Sequence, residues 1–330
     1  MRYFGKTGMK IKRVGFGGIP IQRISQEDTN KVIDELEKCG VNFIDTARGY
    51  TVSEEYLGNA LKGRREKFYI ATKSMSRDYE SMKRDIEISL KNLQTDYIDL
   101  YQMHNVKPAE YDTLFGEDKA YRALLEAKEQ GKIKHIGITS HGLETVEKAV
   151  ESDKFETIQF PYNIVENQAD EVFKRAYEKG VGTIVMKPLA GGAIDDGTLA
   201  MKYLLSREYI DVAIPGMDSP QQVIENTDVL QNYELTEEDN KKIAKIKSEL
   251  GTNFCRRCEY CLPCPKGINI PQNFLLEGYY NRYNLKDWAV DRYRGLAENE
   301  RASNCIECGA CQKKCPYELP IIDMLKKVVD

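Results

Sequence analysis

The residues with the clearest chemical potential in this 330-residue chain are its cysteines, because of where they lie. Eight of the nine follow residue 254, in two runs that read CRRCEYCLPCP and CIECGACQKKCP. Each run begins with three thiols at C-x₂-C-x₂-C spacing and ends in Cys-Pro. Three thiolates from one tight turn can reach one face of a cubane iron–sulfur cluster, and a distant fourth cysteine completes the site. The spacing therefore predicts two [4Fe–4S] clusters.

The fourth cysteine of each run leaves the pairing of ligands open. In two-cluster ferredoxins the last cysteine of each run binds the other cluster. That rule predicts one cluster on Cys255, Cys258, Cys261 and Cys315, and a second on Cys305, Cys308, Cys311 and Cys264. Pairing within each run is the alternative, and the first run has two residues where three are usual before its final Cys-Pro. Zinc and unmetallated thiols are competing interpretations, but zinc sites usually offer two C-x₂-C pairs and need only four ligands.

A second group of reactive side chains follows apolar runs in the first half of the chain. Asp45 ends one run, and Tyr50 lies in the loop after it. Lys73 ends the next run, and His104 ends the one after that. Tyrosine has an ordinary pKa near 10, so it needs a neighbouring cation to act as an acid or base at neutral pH. Lys73 can supply that charge, Asp45 can hold Lys73 by an ion pair, and His104 can position a carbonyl oxygen.

These side chains must be positioned by a regular alternation of strands and helices. Helical segments between the strands, such as DTNKVIDELEKCG, are apolar at i, i+3, i+4 and i+7. Eight strands rich in β-branched residues and separated by helices predict a parallel sheet. Eight is also the number of units that closes a (β/α)₈ barrel. The opening MRYFGKTGMKIKR is expected to form a hairpin across the N-terminal mouth of the barrel. The predicted strands are 13–20, 42–47, 68–73, 98–104, 133–140, 157–163, 182–189 and 212–216.

The composition changes near residue 250, where the cysteine-rich region begins. The predicted fold is α/β, with a (β/α)₈ TIM barrel over residues 1–250 and a small α-helical ferredoxin-like iron–sulfur domain over residues 251–330. Between the cysteine runs, the stretches INIPQNFLLEGYYNRYN and LKDWAVDRYRGLAENE have helical patterns, unlike the compact βαβ ferredoxin. The ninth cysteine, Cys39, is expected to be a small core residue.

The charge balance limits the classes of function. Forty-eight basic against 52 acidic residues give a net charge of −4, which implies no nucleic-acid-binding surface. No segment approaches 18 apolar residues and the N-terminus has no signal-peptide pattern, so a cytoplasmic protein is expected. Residues 251–330 are mildly basic, with 12 basic and 10 acidic residues. Four of these basic residues are expected to balance cluster charge: Arg256, Arg257, Lys313 and Lys314.

Residues 1–232 resemble the aldo-keto reductases. The matching stretches are, in order, GVNFIDTARGYTVSEEYLGNAL, FYIATK, YIDLYQMH, KIKHIGITSH, IQFPYNIVEN, VMKPLAGG and IPGMDSPQQVIENTDVL. The resemblance implies a nicotinamide cofactor at the C-terminal mouth of the barrel and a catalytic tetrad of Asp45, Tyr50, Lys73 and His104. The tail looks like that of family members with a ferredoxin-type C-terminal domain.

The same resemblance implies which residues contact the cofactor, NADPH or NADH. Where a Ser-Asn pair usually holds the carboxamide, the chain has Ser140 and His141. Where Lys and Arg often surround the 2′-phosphate, it has Gly216 and Gln222, so charge-assisted bonds worth roughly 1.5–3 kcal/mol each are missing and NADH use stays open. The implied contacts are Ser140, Gln159, Lys187, Leu189, Gly216, Ser219, Gln222, Glu225 and Asn226.

Two functions from different classes follow. The first is an NAD(P)H-dependent oxidoreductase that reduces an aldehyde or ketone, with Tyr50 as general acid. The second is an electron-transfer protein whose barrel binds nicotinamide as a sensor or docking platform. Hydride transfer moves two electrons together whereas each cluster handles one, so the clusters are either structural or exchange electrons with a ferredoxin or other redox protein. A small carbonyl substrate is the other expected partner; nucleic acid and membranes are not expected.

Overall fold

A computed structural model describes residues 1–251, 253–257, 259–282, 285–315 and 317–329. The strands are β1 Arg2–Tyr3, β2 Lys10–Ile11, β3 Phe16–Gly17, β4 Phe43–Asp45, β5 Tyr69–Ser74, β6 Ile98–Met103, β7 Ile133–Thr139, β8 Thr157–Pro161, β9 Gly182–Met186 and β10 Val212–Ala213. The helices are α1 Gln26–Lys38, α2 Ser53–Ala60, α3 Tyr79–Leu93, α4 Ala120–Glu129, α5 Leu143–Glu151, α6 Asp170–Lys179, α7 Gly197–Leu205, α8 Pro220–Asp228, α9 Glu237–Leu250, α10 Ile270–Asn281, α11 Lys286–Arg294, α12 Ala310–Lys314 and α13 Ile321–Val329.

Eight parallel strands form a closed barrel. Strands β3 to β10 are hydrogen-bonded in chain order, and each is followed by a helix. The first and last strands meet through parallel bridges that join Val14 to Ala213 and Gly17 to Gly216. This is the (β/α)₈ architecture expected from the sequence, and all eight predicted strands are present. Seven lie within the predicted bounds, and β5 extends one residue beyond them, to Ser74.

The N-terminal hairpin fills one end of the barrel. Strands β1 and β2 pair antiparallel, and Phe4, Met9 and Ile11 from this segment are buried with Phe43 and Ile184 in the barrel core. The amide of Lys6 donates to the carbonyl of Gly180, which precedes β9. Because parallel strands share a direction, the strand starts lie at this end and their carboxyl ends lie at the opposite mouth.

The chain divides into two compact units. The first contains the barrel up to Leu235, and the second contains the residues from Thr236 onward with the short segments Ile164–Glu166 and Leu189–Asp196. Thr236 is the N-cap of helix α9, and its hydroxyl accepts from the amide of Asp239 in a capping box. The predicted boundary near residue 250 remains a prediction.

The second unit is helical, as the sequence predicts for the stretch between the cysteine runs. Helix α10 has Pro271 in its first turn, where the missing N–H costs nothing. In the buried core of the second unit, Ile270 and Phe274 pack with Leu319, Ile321 and several cysteines.

One expectation about the first unit is wrong. Cys39 lies at the C-terminal end of α1, where it is partly exposed and its carbonyl accepts from Lys12. The helix ends there, so the residue leaves the buried stripe that Val32 and Leu36 form.

In the part of the chain that the structure describes, every helix is too short or too polar to cross a lipid bilayer.

Candidate functional site

Three neighbouring strands bring the predicted tetrad to one mouth of the barrel. Asp45 ends β4, Lys73 is next to last in β5, and His104 directly follows β6. The amide of His104 donates to the carbonyl of Ser74, which extends the parallel register past the end of β6. Since the carboxyl ends of parallel strands lie at one mouth, residues far apart in sequence become neighbours.

Asp45 and Lys73 form a buried ion pair. The Lys73 Nζ lies 2.6 Å from Asp45 Oδ2 and donates to the carbonyl of Thr46 at 2.8 Å. Both residues are almost fully buried, with 1% and 3% of their surface exposed. Burial lowers the pKa of Lys73 and raises the pKa of Asp45, and in each case the partner's charge opposes the shift. At both residues the ion pair therefore opposes the effect of burial on the charged form.

Tyr50 lies over this cation. Its ring centroid is 5.1 Å from Lys73 Nζ and 5.9 Å from the ring of His104, which it meets edge to face. The loop is held in place because the amide of Arg48 donates to the carbonyl of Lys73 and that of Tyr50 to the carbonyl of Ala47. Tyr50 is half-buried.

His104 is neutral at physiological pH. Burial lowers its pKa well below the ordinary value, and the cations of Lys73 and Arg77 lower it further. A neutral imidazole has one N–H donor and one acceptor nitrogen. Its Nδ1 is buried and has no hydrogen-bond partner among the described residues. The ring can therefore present an N–H to a carbonyl oxygen.

The sequence reasoning missed Gln102, which lies two residues before His104. This fully buried amide donates from Nε2 to Asp45 Oδ1 at 3.3 Å and to Gln159 Oε1 at 2.9 Å. Its own Oε1 is buried without a partner in the part of the chain that the structure describes. A polar residue inside the apolar strand IDLYQM is unusual, and that signal could have identified it.

Glu54 was also missed. It is 1% exposed and accepts from the hydroxyls of Thr72 and Ser89, each at 2.7 Å. The guanidinium of Arg48 lies 3.4 Å away. Its charge raises the pKa of Lys73, in opposition to burial. Two carboxylates, those of Asp45 and Glu54, thus oppose the effect of burial on the pKa of Lys73.

The residues predicted to contact a cofactor lie in three places. Ser140 and Gln159 are buried neighbours, since the amide of Ser140 donates to the carbonyl of Gln159. Lys187 follows β9 with a positive φ of 57°, and its carbonyl accepts from Asn163. Leu189 belongs to the second unit. The remainder lie at Gly216, which bridges to Gly17, and on or just before α8: Ser219, Gln222, Glu225 and Asn226.

Two side chains accept hydrogen bonds from backbone amides at the N-terminus of helix α8. Ser219 accepts from the amide of Gln222, and Gln222 Oε1 accepts from the amide of Asp218 at 2.7 Å. Asn226 donates to the carbonyl of Gln222 one turn later, and the exposed Glu225 accepts from Gln221. The first turn of the helix holds no basic side chain.

The cysteines of the second unit line two cavities. One is lined by Cys255, Cys261 and Cys315. The other is lined by Cys264, Cys305, Cys308 and Cys311. The last cysteine of each run thus lines the cavity formed by the other run. Cys258 lies outside the described residues.

The loops of the two cysteine runs share an unusual backbone. Arg257 and Glu259 in the first run have φ of 57° and 67°, and Glu307 and Gly309 in the second have φ of 55° and 71°. These are equivalent positions, on either side of the middle cysteine. Left-handed residues in such turns aim successive N–H groups into one concavity, which suits an anionic group. Non-glycine residues there carry strain, which is typical of functional sites.

The arrangement of thiols fits clusters better than zinc. Four sulfurs at 2.3 Å from one zinc ion lie only about 3.8 Å apart. Among the described residues no three Cys, His, Asp or Glu side chains are grouped so that they could hold a single metal ion. A cubane spreads its four ligands over separate irons, so it matches thiols that line a cavity.

Comparisons with known proteins match two separate parts of the chain. Residues 13–198 match the aldo/keto reductase family, and residues 254–320 match a 4Fe-4S dicluster domain. L-galactose dehydrogenase from Arabidopsis thaliana is 26% identical over 301 residues, covering 76% of this chain and 94% of that protein. Methylglyoxal reductase from Escherichia coli (strain K12) is 29% identical, covering 69% and 88%. The holo structure of an aldo-keto reductase from Bacillus halodurans superposes with a TM-score of 0.66 at 26% identity, covering 74% and 95%.

Proposed function

Since this chain belongs to the aldo/keto reductase family, we propose that it reduces a small aldehyde or ketone with NADPH or NADH, with Tyr50 as the general acid. The observation that supports this most directly is the buried Lys73–Asp45 pair beneath the ring of Tyr50. A cation in that position favours the phenolate, so it makes the phenol a better acid.

The chain's own residues supply the proton and the orientation. Reduced nicotinamide, when bound, supplies the hydride that reaches the carbonyl carbon. The phenol of Tyr50 donates its proton to the carbonyl oxygen, which completes the alcohol. Lys73 stabilises the negative charge left on Tyr50, and the neutral imidazole of His104 donates an N–H that orients the oxygen.

Two parts of the first unit support the proposed binding of a nicotinamide cofactor. Ser140 and Gln159 are adjacent and buried near Asp45, where a carboxamide would need polar partners. Helix α8 carries Gln222, Glu225 and Asn226, which the resemblance implies as nucleotide contacts. The lack of basic residues in its first turn supports use of NADH as well as NADPH.

We further propose that residues 251–330 form an iron–sulfur domain and that residues 1–250 form a reductase domain. Its clusters would be held by Cys255, Cys258, Cys261 and Cys315, and by Cys305, Cys308, Cys311 and Cys264. The two thiol-lined cavities and the paired left-handed turns support this crossed assignment. A ferredoxin or a similar one-electron protein is the proposed redox partner.

The deciding experiment compares Tyr50→Phe with Tyr121→Phe in the anaerobically purified full chain. The control variant Tyr121→Phe also removes one phenolic hydroxyl. Tyr121 lies on outer helix α4, where its hydroxyl donates to the carbonyl of Lys154. Methylglyoxal and other small carbonyls would be tested with each nucleotide, and L-galactose in the oxidative direction. We expect Tyr50→Phe to lose roughly 10²–10⁴-fold in kcat with nucleotide affinity retained, and Tyr121→Phe to keep full activity. Carbonyl reduction that survives in Tyr50→Phe at saturating nucleotide would contradict the assignment.

A further inference from the structure

A buried positive charge lies beside one of the two thiol-lined cavities. Arg256 is only 8% exposed and lines the cavity that Cys255, Cys261 and Cys315 also line. Its guanidinium carbon is 3.9 Å from the centre of the Tyr317 ring, which lines the same cavity.

The partners of this guanidinium are all neutral. Arg256 Nε donates to the carbonyl of Val165 at 3.0 Å, and Nη1 donates to the carbonyls of Gly251 at 3.0 Å and Phe254 at 3.5 Å. Within the described ranges, no carboxylate forms an ion pair with Arg256.

The neighbouring arginine shows the opposite arrangement. Arg257 Nη2 lies 3.0 Å from Oε1 of Glu166, a carboxylate with no exposed surface. That pair is neutral as a whole, so Arg257 contributes little net charge to its surroundings. Lys313 and Lys314 are exposed, where solvent and salt screen them. Of the four basic residues expected to balance cluster charge, only Arg256 is both buried and uncompensated.

A buried charge without a counter-ion is costly, since carbonyl dipoles and an aromatic face replace only part of its hydration. An anionic group in the adjacent cavity would provide the missing charge. Four thiolates on a 2+ cubane core carry a net charge of −2, and one-electron reduction takes this to −3. A fixed cation stabilises the more negative state, so it favours reduction.

We propose that Arg256 is the charge that sets the reduction potential of the cluster held by Cys255, Cys258, Cys261 and Cys315. This rests on the cluster assignment proposed above. The first cavity is lined by one other charged residue, Glu259, which is exposed. The second cavity has no equivalent of Arg256: its one charged lining residue is Lys266, which is exposed. The effect of Arg256 is therefore confined to one of the two clusters.

The test is a redox titration of the anaerobic full-length protein, with mediators and dithionite, followed by EPR. Arg256→Gln removes the charge, Arg256→Lys retains it, and Lys314→Gln is the control that removes an exposed charge next to Cys315. In Arg256→Gln we expect the reduction equilibrium of one cluster to become at least tenfold less favourable, which is 59 mV for a one-electron couple. The other cluster shifts by less than threefold. Arg256→Lys and Lys314→Gln stay within threefold of the wild-type protein, and the Arg256→Gln shift persists at high salt.

Iron analysis separates failure of this inference from failure of the cluster assignment. Wild-type protein without two four-iron clusters would overturn the assignment itself. Full iron content in Arg256→Gln with both potentials unchanged would overturn the role of Arg256. If Arg256→Gln does not retain iron, Arg256→Lys decides: a wild-type potential supports the role of charge, and a tenfold loss refutes it.

Discussion

Replacing Asp45 with Asn tests the buried pair on which the proposed chemistry depends. Asparagine has nearly the shape of aspartate, so the change removes a charge without opening a cavity. The Lys73 ammonium then lies 1% exposed beside the Thr46 carbonyl, 2.8 Å away, and below the ring of Tyr50. Glu54 is left as the carboxylate that still raises its pKa.

The size of the effect follows from the geometry. Two charges 2.6 Å apart attract by about 6 kcal/mol at an effective dielectric constant of 20. Removing one partner of such a buried pair costs about 3–5 kcal/mol, because the other charge stays desolvated. Lys73 can limit this cost by losing its proton, since burial already lowers its pKa. We therefore expect a loss near the lower end, about 3 kcal/mol.

Deprotonation also gives the variant a recognisable pH dependence. A lysine whose pKa is lower in the folded than in the unfolded chain binds fewer protons when folded. Its stabilising contribution is full above the unfolded pKa, near 10.4, and is lost as pH falls towards the folded pKa. The stability of Asp45→Asn should thus rise as pH increases towards about 10.4, with a limiting slope of roughly 1.4 kcal/mol per pH unit. Carbonyl reduction at pH 7 should fall by roughly 10²-fold or more, because Tyr50 loses its cation.

The assay is urea unfolding of the full-length protein by circular dichroism at several pH values, together with kcat. Asp118→Asn is the matched control, since Asp118 pairs with Lys119 at 2.8 Å but is 80% exposed. The control should leave stability and activity unchanged. An Asp45→Asn protein as stable as the wild type, with a flat pH dependence and full activity, would refute the reasoning.

Three further outcomes are expected. Because the pKa of His104 is lowered in the folded chain, the free energy of unfolding should fall as pH drops below about 6.5. In urea titrations at pH 5–7, His104→Gln should reduce this dependence of stability on pH. An unchanged dependence would argue against the lowered pKa. Gly58→Ala places a methyl 2.2 Å from the carbonyl of Asn92, so we expect a loss of roughly 1–3 kcal/mol in unfolding free energy; an unchanged midpoint would contradict this contact. Cys311→Ser should halve the iron content and remove one EPR signal while circular dichroism of the barrel is kept, and full retention of iron would exclude Cys311 as a ligand.

The sequence predicted best what depends on direction and spacing along the chain. The sequence predicts a shared site for Asp45, Lys73 and His104 because each ends an apolar run. Parallel strands bring the carboxyl ends of such runs together. Gln102 and Glu54 were missed because their importance depends on which way a buried side chain points. A polar residue within an apolar strand signals that it has a partner but does not identify the partner.

The sequence by itself determined the eight-unit barrel, the helical cysteine-rich region and the residue types for carbonyl and iron–sulfur chemistry. These follow from periodicity and local spacing, which short-range backbone geometry enforces. Only the tertiary structure decided which charges are compensated: Arg256 and Arg257 are adjacent in sequence, yet one has neutral partners and the other has Glu166. Electrostatic energy depends on distance and burial, and neither is encoded in the position of a residue along the chain.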